Sequence, residues 1–255
     1  MKIVVCVKPV KAGLVYPEGA GGEEYVLNPY DLYALENALE LKKHVKCTVT
    51  CLCMGAQKAK PMLTKALAMG ADDAVLLNDN AFIGSDTVAT TYVLSKAVRN
   101  LGGADLVVCG DRSIDGETGQ VVFGLGEQLG YVCVSRMESL SLSEEGAAIA
   151  SQREKDAVER VSFRLPAVVS YADFQLKQPT ISLMALKRAK SREITVWGSE
   201  DIGADASKCG TDGSKTKVLN VKSEWSKKKG VQVGGMPCEK ASMLLDIVLR
   251  RAAVR

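Results

Sequence analysis

The sequence predicts an α/β fold: a doubly wound, mainly parallel sheet with added antiparallel strands and a C-terminal arm. Three observations carry this. Short apolar runs at residues 2–7, 46–53, 74–77 and 106–109 are each followed by apolar residues at helical spacing. Strand–helix pairs recurring at this interval make parallel strands joined by right-handed crossovers. After Val132 the pattern changes to alternating runs around a turn, which reads as antiparallel strands.

The elements follow in order. Lys2–Val7 is the first strand. Residues 8–27 read as loop, because Pro9, Pro17, Gly19, Gly21 and Gly22 interrupt regular structure. Asn28-Pro29-Tyr30-Asp31 signals a helix start, with Asn at the cap, Pro at the first helical position and an acid in the first turn. Leu32, Leu35, Ala38 and Leu39 give its apolar face, and Lys42 and Lys43 suit its C-terminus. Lys46–Cys53 is the second strand and Met54-Gly55 the turn after it. Pro61 is tolerable only in the first turn of the next helix, which stops at Gly70. Ala74–Leu77 is the third strand, and Ser85 or Asp86 caps a helix through Leu101.

Met137–Leu142 and Ala147–Gln152 flank the turn at residues 143–146, Val158–Leu165 alternates again, and Ala167–Tyr171 reads as a buried strand. Ile181–Lys190 is apolar at its start and basic at its end, with Lys187, Arg188 and Lys190. From Gly198 to Gly235, Gly, Ser, Asp and Lys dominate, too little apolar content for a core. Pro237 then opens an amphipathic helix with Ala241, Leu244, Leu245, Val248 and Leu249 on one face. The expected division is an α/β domain over residues 1–197 and an arm over 198–255.

The stretch that organises the chain runs from Leu106 to Val121. An apolar strand, Leu106–Cys109, ends at Gly110. A polar turn follows, carrying Asp111, Arg112, Ser113, Ile114, Asp115, Gly116, Glu117, Thr118, Gly119 and Gln120. Val121, Val122, Leu125 and Leu129 then recur at helical spacing, placing a helix start near Thr118. Strand, Gly-rich turn and helix present free backbone N–H groups to a phosphate. The turn matches neither G-x-x-x-x-G-K-[ST] nor G-x-G-x-x-G. Its carboxylates would repel a bare phosphate, leaving binding to the backbone and the Ser113 and Thr118 hydroxyls. A plain surface loop is the alternative.

Composition narrows the classes. A net charge of +3 and 5% aromatic residues give neither the basic footprint nor the stacking platform of a nucleic-acid binder. No apolar run approaches the roughly 20 residues of a membrane span, and the chain opens directly into a strand. Of the eight cysteines, Cys6, Cys47, Cys51, Cys53, Cys109 and Cys133 lie in apolar runs, with Cys47, Cys51 and Cys53 on one face. No C-x-x-C pair occurs and His44 is the single histidine, so reduced core thiols are expected rather than a metal site. That usage points to a reducing, cytoplasmic compartment. No residue reads as a catalytic nucleophile or general acid/base, and His44 reads as a surface residue.

The run from Cys109 to Val121 resembles the nucleotide-binding signature of the β subunit of electron-transferring flavoprotein. Lys2–Val10, Asn28–Glu36, Ala66–Asp73 and Leu165–Val169 agree with that family in order and spacing. The resemblance implies an adenine-nucleotide α-hydrolase-like, Rossmann-like domain paired with a larger α subunit that holds its own FAD. It implies that Cys6, Lys8, Asn28, Tyr30, Asp31, Met54, Gly55 and Gly110 through Val121 surround a nucleotide. In simple members that is AMP. In electron-bifurcating members it is a second FAD that takes a hydride from NADH, and the Asp115-Gly116-Glu117-Thr118 and Asn28–Asp31 runs resemble the latter more. The loop after Lys8 is short and lacks the usual Pro-Asp pair, and Val122-Phe123 replaces a common Gly-Pro. The family also implies docking to an acyl-CoA dehydrogenase-type or other flavin dehydrogenase, with Leu183 as anchor and Lys187 and Arg188 beside it. Packing of Leu183 and Leu186 onto the sheet is the alternative.

Two readings from other classes fare worse. An ATP-pyrophosphatase or ligase needs a Ser-Gly-Gly-x-Asp-type loop where Cys6-Val7-Lys8-Pro9-Val10 stands. A nucleotide-binding stress-response module has no use for the added strands and the arm.

Overall fold

The computed structural model describes residues 1–15, 25–142, 147–155, 157–172, 180–217, 219 and 233–252. The chain runs β1 (Lys2–Val7), β2 (Pro9–Lys11), β3 (Tyr25–Leu27), α1 (Pro29–His44), β4 (Thr48–Met54), α2 (Lys60–Met69), β5 (Asp73–Leu77), α3 (Thr87–Asn100) and β6 (Leu106–Gly110). It continues α4 (Val121–Leu129), β7 (Val132–Leu142), β8 (Ala147–Glu154), β9 (Ala157–Arg164), β10 (Ala167–Tyr171), α5 (Leu183–Lys190), β11 (Thr195–Trp197), α6 (Gly210–Gly213) and α7 (Pro237–Ala252). The main sheet has the order β11-β5-β4-β1-β6-β10-β7-β8-β9. From β11 to β7 every pairing is parallel, and β8 and β9 extend the sheet antiparallel. This is the doubly wound α/β class expected from the sequence.

Alternation along the strands feeds two cores. Ile3, Val5 and Val7 join Leu35 of α1 and Leu63 of α2 on one face, and Val4 and Cys6 join Val93 of α3 and Leu125 of α4 on the other. Cys51 and Cys53 lie in the first core with Cys47 packed against it, as their spacing predicts. Leu35 and Leu63 are fully buried, and each burial stabilises the domain by roughly 2 kcal/mol.

Several expectations need correction. The loop after Lys8 contains an antiparallel ribbon, β2 with β3, in register Val10↔Val26. β7 is not simply an antiparallel strand. Its first half lies parallel to β10 and only its second half pairs antiparallel with β8. β10 therefore sits between β6 and β7, an order set by long-range pairing that local periodicity does not encode. The helix expected near Thr118 starts at Val121, because Glu117 (φ 50°) and Gly119 (φ 62°) hold left-handed backbone that a helix cannot continue through. Of the two candidate caps, Asp86 caps α3 by accepting from the Ala89 N–H at 3.0 Å. The 143–146 turn and residues 178–179 lie outside the described residues.

The first compact unit extends to Lys217, beyond the 197/198 boundary that composition predicts. Residues 198–216 form a strap on the sheet domain, with Ile202 and Cys209 buried. Glycine makes this docking possible. A Cβ at Gly210 (φ 52°) would overlap the Ala81 carbonyl and lie 2.7 Å from that of Ile83. The strap packs by close backbone approach together with a few apolar side chains, Ile202, Ala204 and Cys209, too few for composition to reveal. The second unit spans Val218–Arg255. Its helix α7 carries exposed Leu244, Leu245, Val248 and Leu249.

Candidate functional site

Ligands of open parallel sheets bind outside the carboxyl ends of the strands. Here the ends of β1, β4 and β6 open into a cavity of ≈ 560 Å³, within the roughly 300–1,000 Å³ of small-molecule and cofactor pockets. Its floor is apolar, with Cys6, Leu52, Met54 and Cys109. Asp111, Arg112, Ser113, Gly116, Thr118, Gly119 and Val121 line one side, and the start of α3 lines another.

The turn between β6 and α4 is held from outside. Asn28 is fully buried, but its side chain does not cap α1. Its amide donates to the Arg112 carbonyl at 2.8 Å and its Oδ1 accepts from the Ile114 N–H at 3.3 Å. Asn28 thus fixes the turn to the start of α1, a role its position before Pro29 does not reveal. The Glu117 N–H donates to the Ser113 carbonyl at 2.8 Å, closing the turn on itself. Lys8 Nζ reaches Asp115 at 2.7 Å and Ser113 Oγ at 3.4 Å. Burial pushes the Asp115 carboxyl up, but the Lys8 and Ser113 hydrogen bonds outweigh it and hold the group below the usual carboxylate range. Arg112 lies over the Tyr30 ring, 5.4 Å from its centre, and donates from Nε to the Tyr30 hydroxyl at 3.2 Å. Across the mouth, Thr87 and Thr118 hydroxyls meet at 3.3 Å.

Asp31 is the buried charge-bearing group of the cavity. It accepts from the Lys8 N–H at 2.8 Å. Burial pushes its carboxyl up to about 7, against bonds from Lys8, Asn28 and Gly110 and the charge of Lys8. The thiols are pushed upward too. Desolvation raises Cys51 to about 12, and Cys109, hydrogen-bonded to Cys6 and buried, stands well above the usual thiol range. Such thiols stay protonated and inert. Among the described residues no group of His, Cys, Asp and Glu side chains is placed to hold a metal ion.

The structure therefore brings together Cys6, Lys8, Asp31, Met54, Gly110 and most of the turn. Asn28, Tyr30, Ile114 and Asp115 stand behind the wall and support it. Gly55 is set back, its N–H donating to the Leu77 carbonyl at 3.0 Å, and Glu117 and Gln120 do not line the cavity. Sequence reasoning missed the α3 side, with Ser85, Asp86, Thr87, Val88 and Thr90, and the strap residues Lys215 and Thr216. The α3 start follows β5 at the same carboxyl edge, so the crevice rule could have found it. The strap carries no such signal. Leu183 is 86% exposed at the start of α5, with Met184 beside it at 63%. Lys187 and Arg188 are exposed on the same helix, which Ala189 seats in the core. Packing of Leu183 onto the sheet is not what the fold shows. His44 is exposed near Glu40 at the end of α1.

The Electron transfer flavoprotein domain family matches residues 20–201. Protein FixA of Azorhizobium caulinodans is 38% identical over 236 residues, covering 87% of this chain and 84% of that protein. The electron transfer flavoprotein subunit beta of Clostridium acetobutylicum is 36% identical, covering 86% of each chain. The caffeyl-CoA reductase-Etf complex subunit CarD of Acetobacterium woodii is 34% identical and covers 92% of each. Among the described residues no helix is long and apolar enough to cross a membrane.

Proposed function

The chain belongs to the electron transfer flavoprotein family as a β-type, electron-transferring subunit, and on that premise we propose that its cavity binds FAD for NADH-linked electron bifurcation. The observation that carries this is the turn held open over a cofactor-sized cavity. A Cβ at Gly116 would meet only the ends of the Ser113 and Lys8 side chains, at 3.4 and 3.9 Å. That space admits a pyrophosphate close to the backbone. The cavity's residues fit such a group: open space beside the backbone at Gly116 and Gly119, the Thr118 hydroxyl, and an apolar floor for a ring system.

When bound, FAD supplies acceptance of a hydride from NADH and onward transfer of single electrons. The chain's own part is to bind and orient. Asn28 and the Lys8–Asp115 pair preset the turn, Asp31 ties β1 to α1 and β6, and the Cys6–Cys109 floor excludes water. The partner is an α subunit carrying a further FAD, contacted by the segment from Val218 onward. A dehydrogenase of the acyl-CoA type docks on Leu183, with Lys187 and Arg188 steering its approach. Similarity to a subunit of a caffeyl-CoA reductase-Etf complex supports assembly with a reductase of CoA thioesters.

The test is to purify the co-expressed αβ complex and count released nucleotides. Two FAD per heterodimer, with both reducible by NADH, is the expected result. One FAD and one AMP would replace bifurcation with simple carriage and put AMP in this cavity.

A further inference from the structure

The turn that faces the cavity is a poor electrostatic host for a phosphate. Asp111, Asp115 and Glu117 all lie on it. Its nearest cations are engaged: Lys8 pairs with Asp115 at 2.7 Å, and Arg112 stacks on Tyr30 with Asp111 at 3.7 Å. Among the described residues the other cation lining the cavity is Lys215. Among the described residues no carboxylate lies within ion-pair distance of its ammonium group.

Lys215 is placed by a built structure. Asp86 Oδ2 accepts from the backbone N–H groups of Lys215 at 2.6 Å and Thr216 at 3.0 Å, and from the Thr216 hydroxyl at 3.3 Å. Its other oxygen caps α3, and its own N–H donates to Ser214 Oγ at 2.8 Å. Ser214 Oγ donates in turn to the Gly84 carbonyl at 2.7 Å. Burial works against the Asp86 charge, yet these donors hold its carboxyl below the usual range. The strap is therefore fixed at the N-terminal end of α3, whose residues Thr87, Val88 and Thr90 also line the cavity.

We propose that the strap forms a wall of the nucleotide site and that Lys215 is the cation that balances the ligand's phosphate charge, with the Thr216 hydroxyl beside it. This rests on the nucleotide-binding reading of the cavity. It gives the Asp86 anchor a function: the carboxylate holds the strap's backbone so that Lys215 stands at the cavity wall, where its charge offsets both Asp86 and the ligand. Lys215 on one wall and the turn's N–H groups on the other then hold the phosphate from two sides.

The test uses the αβ complex stripped of nucleotide and titrated with AMP and with FAD at several salt concentrations. Lys215→Met should weaken binding about tenfold or more at low salt and flatten its salt dependence. Lys215→Arg should restore both. If Lys215→Met binds as tightly as the parent complex with the same salt slope, Lys215 is a surface lysine and the proposal falls. Gly116→Val in the opposite wall separates the two readings. Loss of binding there with Lys215→Met unaffected leaves the nucleotide site standing and removes only the strap. Full binding by both variants removes the site itself, and the strap with it. The exposed position of Lys215 means that neither substitution there disturbs packing.

Discussion

The 110–120 turn and the 198–216 strap are both rich in glycine and acid, and in sequence both read as loop. Their glycines face different things. At Gly116 and Gly119 a Cβ would meet nothing nearer than 3.4 Å. At Gly210 it would overlap the Ala81 carbonyl, and at Gly213 the backbone of Lys208. Gly210 and Gly213 of the strap are filled in by protein, while Gly203 is open but does not line the cavity. Gly116 and Gly119 of the turn are left open. Gly110, at the root of the turn, belongs with the strap, since a Cβ there would lie 2.7 Å from the Tyr30 backbone and 2.5 Å from Asp31 Oδ1. The difference separates glycines that build the fold from glycines that leave room for a ligand, and it can be broken by substitution.

The largest expected effect comes from what stands against Gly110. Asp31, with an ordinary value of 3.8, holds its proton to about 7 in the fold. Between those values the folded protein binds a proton that the unfolded chain has lost. Its contribution is thus full at acid pH and lost as pH rises toward 7, by up to about 4 kcal/mol in all. Urea unfolding of the αβ complex at pH 5 and pH 8 should show this slope, and Asp31→Asn should flatten it. An unchanged slope in the variant would mean that Asp31 is ionised throughout.

Gly110→Ala should come next. The added methyl group has α1 backbone in its path and cannot be relieved by a side-chain rotation, so a loss of about 3 kcal/mol is expected. A melting temperature equal to the parent would show that α1 yields freely. Gly116→Val sharpens the contrast from the other side. Stability should change by less than about 1 kcal/mol, while nucleotide recovered with the complex falls sharply. Retained nucleotide would place the ligand away from the turn.

Sequence reasoning read the parallel core well because its signals are local. Apolar runs, Pro at helix starts and the Gly70 stop each act within a few residues. It read the turn for the same reason. It could not place β10 between β6 and β7, nor see that Asn28 ties down Arg112 and Ile114 rather than capping α1. Both depend on partners more than 30 residues apart in the chain. The strap failed for a different cause. Composition looks for many apolar side chains, whereas the strap docks with only Ile202, Ala204 and Cys209 in the core, helped by close backbone contact at Gly210 and by the hydrogen bonds of Ser214 and Asp86.

The smallest expected effect on stability concerns a side chain, judged by the same question of what fills the space around it. Leu183 has almost nothing against it, at 86% exposure, although it follows the Ser182 cap that fixes the start of α5 at 3.1 Å from the Ala185 N–H. Its neighbour Met184 is exposed too, and the basic residues follow within one turn. An apolar tip held on a capped helix beside cations has the form of a small docking anchor. Leu183→Ala should therefore leave unfolding within about 0.5 kcal/mol of the parent and nucleotide content unchanged. Its effect should appear in the partner reaction, as a loss of about 2 kcal/mol, or roughly thirtyfold, in docking to the dehydrogenase. Stopped-flow reduction of the complex by the dehydrogenase, across salt concentrations, measures it. Lys187→Ala and Arg188→Ala should instead lower the association rate at low salt and converge with the parent at high salt. Equal rates for Leu183→Ala and the parent at every salt concentration would show that the exposed tip of α5 meets no partner.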